Sequence, residues 1–222
     1  MLPRGCSFVE STHAYTMEGR SVPSCTRILD HAGLVSYDMV RKDILERKST
    51  IGTLVHQATH YYDDGDLDWS SFKEDNPADQ ETKGRVEAWA NFRSDTGFVP
   101  RLKEERYMAM LNGMTYGLTV DREGLMHGQE AIIEIKNAAT KEDWWAIQLA
   151  GYALGVPDVG KTGRSPRALF ARRRRMAVQL FPDGRYKKYD FVDPQDAEVF
   201  ISTLHITTWK LNKGSELRKI EE

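Results

Sequence analysis

The stretch from residue 116 to residue 136 constrains the fold of this chain more than any other. It holds two apolar runs, one ending at Asp121 and one reading Ala-Ile-Ile-Glu-Ile-Lys up to Lys136. Such β-branched runs predict strands, and a tight turn near His127 and Gly128 would make them antiparallel neighbours. That pairing sets Asp121 opposite Glu134, and the period of two directs Glu134 and Lys136 to one face. The sequence therefore predicts two carboxylates and an ammonium in one patch of a sheet.

Two interpretations of this patch are open from the pair of strands alone. Carboxylate oxygens suit Mg²⁺ or Mn²⁺, and such an ion beside a lysine can activate water against a phosphodiester. Alternatively, the charges are simply solvated on the outer face of an antiparallel sheet. The choice between the two depends on the rest of the chain.

The composition is that of an ordinary globular protein. With 222 residues, of which 40% are hydrophobic and 29% charged, we expect a single domain over residues 1–222 with an N-terminal hairpin and helical elaboration over about 1–50. The formal net charge of −2 gives no global electrostatic attraction for nucleic acid. Any nucleic-acid binding must therefore come from a local basic patch.

Cysteine usage and hydropathy exclude several classes of site. Cys6 and Cys25 are the only cysteines, so neither a disulfide framework nor a cysteine-ligated zinc or iron–sulfur cluster is expected. The N-terminus lacks the apolar core of a signal peptide, and no run approaches membrane-spanning length. We therefore expect a cytoplasmic protein without a membrane partner.

Before the central stretch, the sequence pattern predicts mainly helices. Alternation over residues 7–24 predicts a β-hairpin turning at Glu18 and Gly19, and Ser24 is expected to cap a helix over residues 25–32. Further helices are predicted over about 38–47, from a cap at Ser49 or Thr50 to residue 62, and over 81–95, with an acidic loop at 63–80. The apolar face of the middle helix comprises Ile51, Leu54, Val55, Ala58 and Tyr62.

From residue 99 onward, strands alternate with helices. Strands are predicted over 99–110, 114–121, 131–136, 168–181 and 185–192, and helices over 141–154 and from Pro194 to about residue 211. Together these elements predict an α/β or α+β fold in which helices flank a sheet.

Two short matches, one to a nucleotide-binding motif and one to a metal-binding motif, lack the neighbouring elements or residues that these motifs need to function. Residues 155–162 match the P-loop pattern Gly-x-x-x-x-Gly-Lys-Thr, but a working P-loop follows a strand and opens a helix, whereas this match follows a predicted helix and precedes Pro166. We therefore predict a loop and no use of ATP. His56 and His60 lack the general-base glutamate of the zinc-protease motif His-Glu-x-x-His.

Five segments occur in the order of the motifs of the PD-(D/E)XK nuclease superfamily. They are Gly52-Thr-Leu-Val-His56, Glu105, Gly117-Leu-Thr-Val-Asp121, Glu134-Ile-Lys136 and Gln148-Leu-Ala-Gly-Tyr152. The chain most resembles the RecB-type branch, and Val22-Pro-Ser-Cys-Thr-Arg-Ile-Leu29 looks like the entry segment of small phage and mitochondrial RecB-like exonucleases. The Gly-x-x-x-Asp spacing is more similar to that of λ-exonuclease-type members. The resemblance implies a restriction-endonuclease-like central mixed β-sheet flanked by helices.

The resemblance also implies a metal site. His56, Asp121, Glu134 and the backbone carbonyl of Ile135 would hold one or two Mg²⁺ or Mn²⁺ ions, an oxygen-rich ligand set that suits these metals. Lys136 would orient or deprotonate the attacking water, or offset charge in the transition state.

Three further residues are given supporting roles by the resemblance. Glu105 would hold a second ion or a metal-bound water, with Glu104 as the competing candidate. Gln148 and Tyr152, one helical turn apart, would contact a DNA phosphate or support the lysine.

The densest basic run provides candidate DNA contacts. It comprises Arg172, Arg173, Arg174 and Arg175, with Arg164 shortly before it. In a strand, alternate arginines face opposite sides, so about half of them would meet DNA. Trp145 is a candidate for stacking on an unpaired base, while helix packing explains Trp144 better.

We therefore expect a metal-dependent DNA nuclease, bacterial or phage-encoded. An end-dependent exonuclease with little sequence preference is favoured, acting on single-stranded DNA or on a duplex with free ends. The alternatives are a catalytically idle nucleic-acid-binding relative, a structure-specific endonuclease of the same superfamily, and an enzyme acting on sugar or nucleotide phosphates.

Overall fold

The computed structural model describes residues 2–35, 41–158 and 163–214. The strands are β1 (Cys6–Val9), β2 (Ala14–Met17), β3 (Arg20–Val22), β4 (Val99–Leu111), β5 (Met114–Met126), β6 (Gln129–Lys136), β7 (Arg174–Leu180) and β8 (Tyr186–Asp190). The α-helices are α1 (Cys25–His31), α2 (Lys42–Asp64), α3 (Pro77–Thr96), α4 (Trp144–Gly155), α5 (Pro166–Arg172) and α6 (Gln195–Asn212). Within these described ranges, no helix is both long and apolar enough to cross a membrane.

A five-stranded mixed sheet forms the centre of the fold, in the order β4-β5-β6-β7-β8. Strands β6 and β7 are parallel, and the other neighbours are antiparallel. His127 and Gly128 form the predicted turn between β5 and β6, both with left-handed backbone (φ 51° and 80°), as a two-residue hairpin turn requires. The predicted fold class, a mixed sheet flanked by helices, is confirmed.

Helices cover both faces of this sheet. On one face α1, α4 and α6 bury Ile28, Leu149 and Phe200 together with Ile132 of β6. On the other face α2 and α3 pack against Ile133 and Ile135, which belong to the same strand but point to the opposite side of the sheet from Ile132. The alternation along β6 thus divides its apolar side chains between two cores.

Strand β5 has different neighbours along its two halves. It pairs with β4 along nearly all of its length, but with β6 only from Arg122, opposite Ile133, to the turn. Before Arg122 the strands diverge, and we call this point the strand fork. In the free half of β5, Gly117 bridges to Ser24 at the end of the small three-stranded sheet of β1, β2 and β3. A Cβ at Gly117 would clash with the ring of Tyr15, so a glycine lets the N-terminal sheet approach.

Helix α2 is longer than the sequence pattern predicts. Ser49 and Thr50, expected to cap a separate helix, lie inside α2, and the Thr50 hydroxyl donates to the Glu46 carbonyl (3.0 Å). The start of the predicted helix over 38–47 falls partly outside the described residues. Leu54 was assigned to the apolar face but is exposed.

Residues 166–172 were predicted to lie partly in a strand, and this is wrong. They form α5, where the Ser165 hydroxyl caps the Ala168 amide and Pro166 occupies the first turn, while β7 begins only at Arg174. The P-loop-like match begins at Gly155, the last residue of α4, and its residues 159–162, including Lys161, lie outside the described residues. The other predicted helices and strands are present with shifted ends.

Candidate active site

The strand fork brings Asp121 and Glu134 together. The backbone pairing of β5 with β6 ends at Arg122 and Ile133. Beyond it, the Asp121 side chain joins the two strands, because its Oδ2 accepts a hydrogen bond from the backbone amide of Ile135 (2.7 Å). Asp121 is 8% exposed and Glu134 is 6% exposed. The predicted neighbourhood of the two carboxylates is therefore present, and Asp121 is held by the backbone of the next strand.

Lys136 lies beside Glu134, as the period of two predicts. Its Nζ donates to Glu134 Oε1 (2.8 Å) and to Gln148 Oε1 (2.9 Å), and lies over the Trp144 ring. The Gln148 amide in turn donates to the Tyr152 hydroxyl (2.8 Å) and to Thr26 Oγ1 on α1 (3.2 Å). Helices α1 and α4 thus fix the position of the lysine.

Helix α2 adds a histidine to this group. His56 Nδ1 lies 3.6 Å from Asp121 Oδ1 and 3.8 Å from Glu104 Oε1. One turn earlier, a Cβ at Gly52 would lie 3.2 Å from the Asn137 side chain, so the absent side chain lets α2 approach the end of β6. This is the close approach that His56 needs to reach the fork.

The structure brings Glu104 to His56, whereas Glu105 was the preferred candidate. Glu104 has a left-handed backbone (φ 50°), which breaks the simple alternation of side chains along β4 at this point. Burial raises the pKa of Glu123, and the charge of Glu105 adds to that shift, so Glu105 acts on a different group of side chains.

The fork contains more buried negative charge than the nearby ammonium can neutralise. Burial raises the pKa of Asp121 to about 6 and that of Glu134 to about 7, with the charge of Asp121 adding to the second shift. Burial lowers the pKa of His56, which favours the neutral, metal-binding imidazole. In the described part of the chain, Glu134 Oε2 and Glu104 Oε1 are buried without a hydrogen-bond partner.

These features fit a divalent cation. Asp121 and Glu134 each use one oxygen in a hydrogen bond and keep the other for an ion, and oxygen-rich sets suit Mg²⁺ and Mn²⁺. Among the residues that the structure describes, no three His, Cys, Asp or Glu side chains are already arranged to hold a metal ion. The pairs that already lie near one another are His56 Nδ1 with Asp121 Oδ1 (3.6 Å) and with Glu104 Oε1 (3.8 Å).

A buried network behind the site was missed by sequence reasoning. The guanidinium of Arg122, fully buried, donates to Asp63 Oδ2 (2.5 Å), to Thr59 Oγ1 (3.0 Å) and to the Asp121 carbonyl (2.7 Å). Asp63 also accepts from Trp89 and Arg93 of α3. The available signal was the spacing on α2, where Thr59 and Asp63 follow His56 by three and seven residues on one helical side.

The arginine run does not lie beside the fork. Arg174 is opposite Ala131 and Lys136 is opposite Gln179, five residues further along the paired strands, which is about 16 Å. Arg173 and Arg175 are buried. Their guanidinium groups bind the carbonyls of Ala153, Val156, Pro157 and Asp193 and the carboxylate of Asp196.

The predicted DNA contacts of Arg173 and Arg175 are therefore corrected, because both guanidinium groups are committed to the protein interior. Arg172 is exposed, Arg174 pairs with Asp190 (2.7 Å), and Arg164 lies 4.0 Å from Asp158. These three remain on the surface but lie away from the fork or are already paired.

Trp145 was predicted to stack on an unpaired base, and this is also corrected. It is 1% exposed and packs edge-on against Tyr189, because α4 is buried on most of its sides. Trp144, assigned to packing, does pack against the core, and its partly exposed ring also lies under the Lys136 ammonium.

Comparisons with known proteins provide structural likeness only. No protein-family model matches the chain, and no curated protein matches it in sequence. A candidate exonuclease from Eubacterium rectale is similar over 90% of this chain and 85% of its own, with a TM-score of 0.54 and 12% identity. The protein SSO0001 (88% and 85% covered, TM-score 0.37, 13% identity) and an alkaline exonuclease from Laribacter hongkongensis (87% and 92% covered, TM-score 0.31, 16% identity) are more distant. At this identity the first comparison supports a shared fold.

Proposed function

We propose that this chain is a divalent-metal-dependent nuclease of the PD-(D/E)XK type, RecB-like, that hydrolyses phosphodiester bonds in DNA. The observation that carries the proposal is the strand fork, where Asp121, Glu134 and Lys136 share one buried site with His56 and Glu104. The fold likeness to a candidate exonuclease is consistent with this activity.

The hydrogen bonds support a choice of ligand atoms. Asp121 Oδ2 and Glu134 Oε1 are engaged by Ile135 and Lys136, so Asp121 Oδ1 and Glu134 Oε2 would hold the ion, with His56 Nδ1 and Glu104 Oε1 beside them. The carbonyl of Ile135 would join them, because the N–H and C=O of a strand residue point toward the same neighbouring strand, here toward the fork. When bound, the ion would polarise the phosphate and acidify water.

Lys136 would act on the attacking water. An ammonium has three protons, and Glu134 and Gln148 accept two of them, which leaves one for a water or a phosphate oxygen. Fixed in this way, Lys136 orients the water and offsets charge that develops in the transition state. Trp144, lying over Nζ, shields the lysine from solvent.

An end-dependent exonuclease is the form of the activity that we propose. The N-terminal sheet and α1 close one side of the fork, through the Ser24–Gly117 bridge and the hydrogen bond between Thr26 and Gln148. A site closed on that side is suited to a strand end. We include this N-terminal segment with the rest of the chain in one domain.

Cleavage of labelled linear DNA tests the proposal. We expect cleavage with Mg²⁺ or Mn²⁺, none in chelator, and a loss of about 100-fold or more in Asp121→Asn and Glu134→Gln, because each variant removes an anionic ligand. Glu74→Gln, an exposed carboxylate away from the fork, is the matched control and should cleave normally. Full cleavage in chelator would overturn the metal mechanism, and DNA binding without cleavage would favour the idle relative.

A further inference from the structure

A groove of about 420 Å³ lies between α2, α3 and the segments that follow β6 and β7. The mechanism proposed above does not use it. We call it the α2–α3 groove, and its polar lining comprises Arg47, Lys48, Glu81, Arg85 and Asn137.

Arg85 is the unusual residue in this groove. It is 8% exposed, and its Nη2 lies 3.1 Å from Glu81 Oε1, but its Nε and Nη1 are buried without a hydrogen-bond partner in the described part of the chain. Burying an N–H without a partner is costly, so folded proteins seldom keep one without a reason. Next to it, a Cβ at Gly84 would clash with the Pro182 carbonyl, so α3 is pressed against the backbone after β7 and Arg85 is held deep in the groove.

The groove has an excess of positive charge. Glu81 is shared by two guanidinium groups, with Oε1 near Arg85 and Oε2 accepting from Arg47 (3.0 Å). Lys48 is exposed at the groove and adds a further cation. Three cations thus face one carboxylate, and planar guanidinium donors match the oxygens of a phosphate.

The groove begins next to the catalytic lysine. Asn137 directly follows Lys136, and its side chain donates to the Lys48 carbonyl (3.2 Å). Lys48 and His56 are eight residues apart on α2, about 12 Å along the helix. A nucleic-acid strand with one phosphate at the fork can therefore place another phosphate in the groove.

We infer that the α2–α3 groove binds a non-scissile phosphate of the substrate strand through Arg47, Lys48 and Arg85. This assignment rests on the proposed nuclease function. It gives the excess charge of the groove, which includes the buried guanidinium of Arg85, an anionic ligand, and it places the positioning cations near the fork rather than on the distant arginine run.

Equilibrium binding of a labelled single-stranded oligonucleotide in chelator tests the groove without requiring cleavage. Arg47→Ala/Lys48→Ala should bind about tenfold more weakly near physiological salt, and the slope of log affinity against log salt should become shallower by about 1. Lys187→Ala/Lys188→Ala removes the same charge from exposed positions on β8 and should change little. Equal losses in the two double variants would overturn the inference, whereas a wild type that binds but never cleaves would overturn only the proposed function.

A second variant addresses the buried arginine. Arg85→Met keeps an apolar stem and removes the unpartnered N–H groups, so it should lower oligonucleotide affinity while Tm is unchanged or raised. A lower Tm with unchanged affinity would show a purely structural role and overturn the assignment of Arg85. If both Tm and affinity fall in Arg85→Met, the double variant of the exposed residues Arg47 and Lys48 decides whether the groove binds the strand. Competition with inorganic phosphate distinguishes a site for free phosphate from a site for a phosphate of the strand. If Arg47→Ala/Lys48→Ala loses phosphate binding but keeps oligonucleotide affinity, the assignment to the substrate strand is overturned.

Discussion

Burial disfavours the ionised form of the Asp121 and Glu134 carboxyls, and this makes folding stability depend on pH. Their pKa values are raised in the folded protein, from 3.8 to about 6 and from 4.5 to about 7, so between these values the folded state binds more protons than the unfolded state. Stability must then fall as pH rises through that window. The two carboxyls together account for an effect on the order of a few kcal/mol.

We therefore expect the free energy of unfolding in chelator to be higher near pH 5 than near pH 8, as measured with urea. Asp121→Asn and Glu134→Gln should each flatten this dependence, because an amide does not titrate in the window. Mn²⁺ should raise stability more at pH 8, where both carboxylates are ionised and can bind it. Variants that keep the wild-type slope would show that other groups cause the pH dependence.

The contacts of Lys136 predict that it contributes to the rate of cleavage rather than to DNA affinity. Because its Nζ is held by Glu134 and Gln148 inside the site, Lys136→Ala should reduce single-turnover cleavage by about 100-fold or more and leave DNA affinity nearly unchanged. Lys141→Ala, which removes a more exposed lysine just before α4, should cleave like the wild type. A parallel collapse of affinity and rate in Lys136→Ala would instead make Lys136 a DNA-binding residue.

Individual site residues differ in how well the sequence predicts them. Asp121 and Glu134 were placed correctly, because a two-residue turn and the period of a strand determine which residues are opposite. Glu104 was not chosen, since its left-handed backbone cannot be read from alternation. Arg122 was missed because its partner Asp63 is 59 residues away and belongs to another element.

At the scale of elements, local signals competed with tertiary contacts. Ser49 and Thr50 have the composition of helix caps, yet α2 continues through them because Ile51 and Val55 on one side of the helix are buried against the sheet. At α5 the opposite error occurred. Ser165 and Pro166 are a signal for the start of a helix, but the apolar run that follows them led to the prediction of a strand.

The Arg122 network ties α2 to the fork, and its removal should be costly. Asp63→Ala leaves the fully buried guanidinium of Arg122 without its carboxylate, so we expect a loss of about 3–5 kcal/mol in urea unfolding. Asp63→Leu/Arg122→Met removes both charges and should recover much of that loss. Asp64→Ala, on the exposed side of the same helix end, is the control and should change stability little. A double variant no more stable than Asp63→Ala would show that the buried charge of Arg122 is not the cause.

Over the whole molecule, the sheet was predictable and its relation to the N-terminal segment was not. The order of strands and helices favours helices on both faces of a mixed sheet, as the structure has it. The bridge from Ser24 to Gly117 depends on a glycine that admits the Tyr15 ring, and no local pattern identifies that contact. This bridge holds the N-terminal sheet against the half of β5 that precedes the fork.

The closure of the fork by α1 leads to the prediction for the whole molecule, which is dependence on a DNA end. With the fork closed on the side of α1, a strand reaches Lys136 more readily from a free end than as part of a continuous duplex, and phosphate contacts in the α2–α3 groove position a strand without specifying its sequence. In Mg²⁺ we expect linear single-stranded or duplex DNA to release mononucleotides or short oligonucleotides, and covalently closed circles of the same sequence to persist. Lys136→Ala controls for contaminating nucleases, and the salt must be fixed because phosphate-driven binding depends steeply on it. Rapid conversion of closed circles into discrete fragments would show that the site admits internal phosphodiesters, which would favour the structure-specific endonuclease.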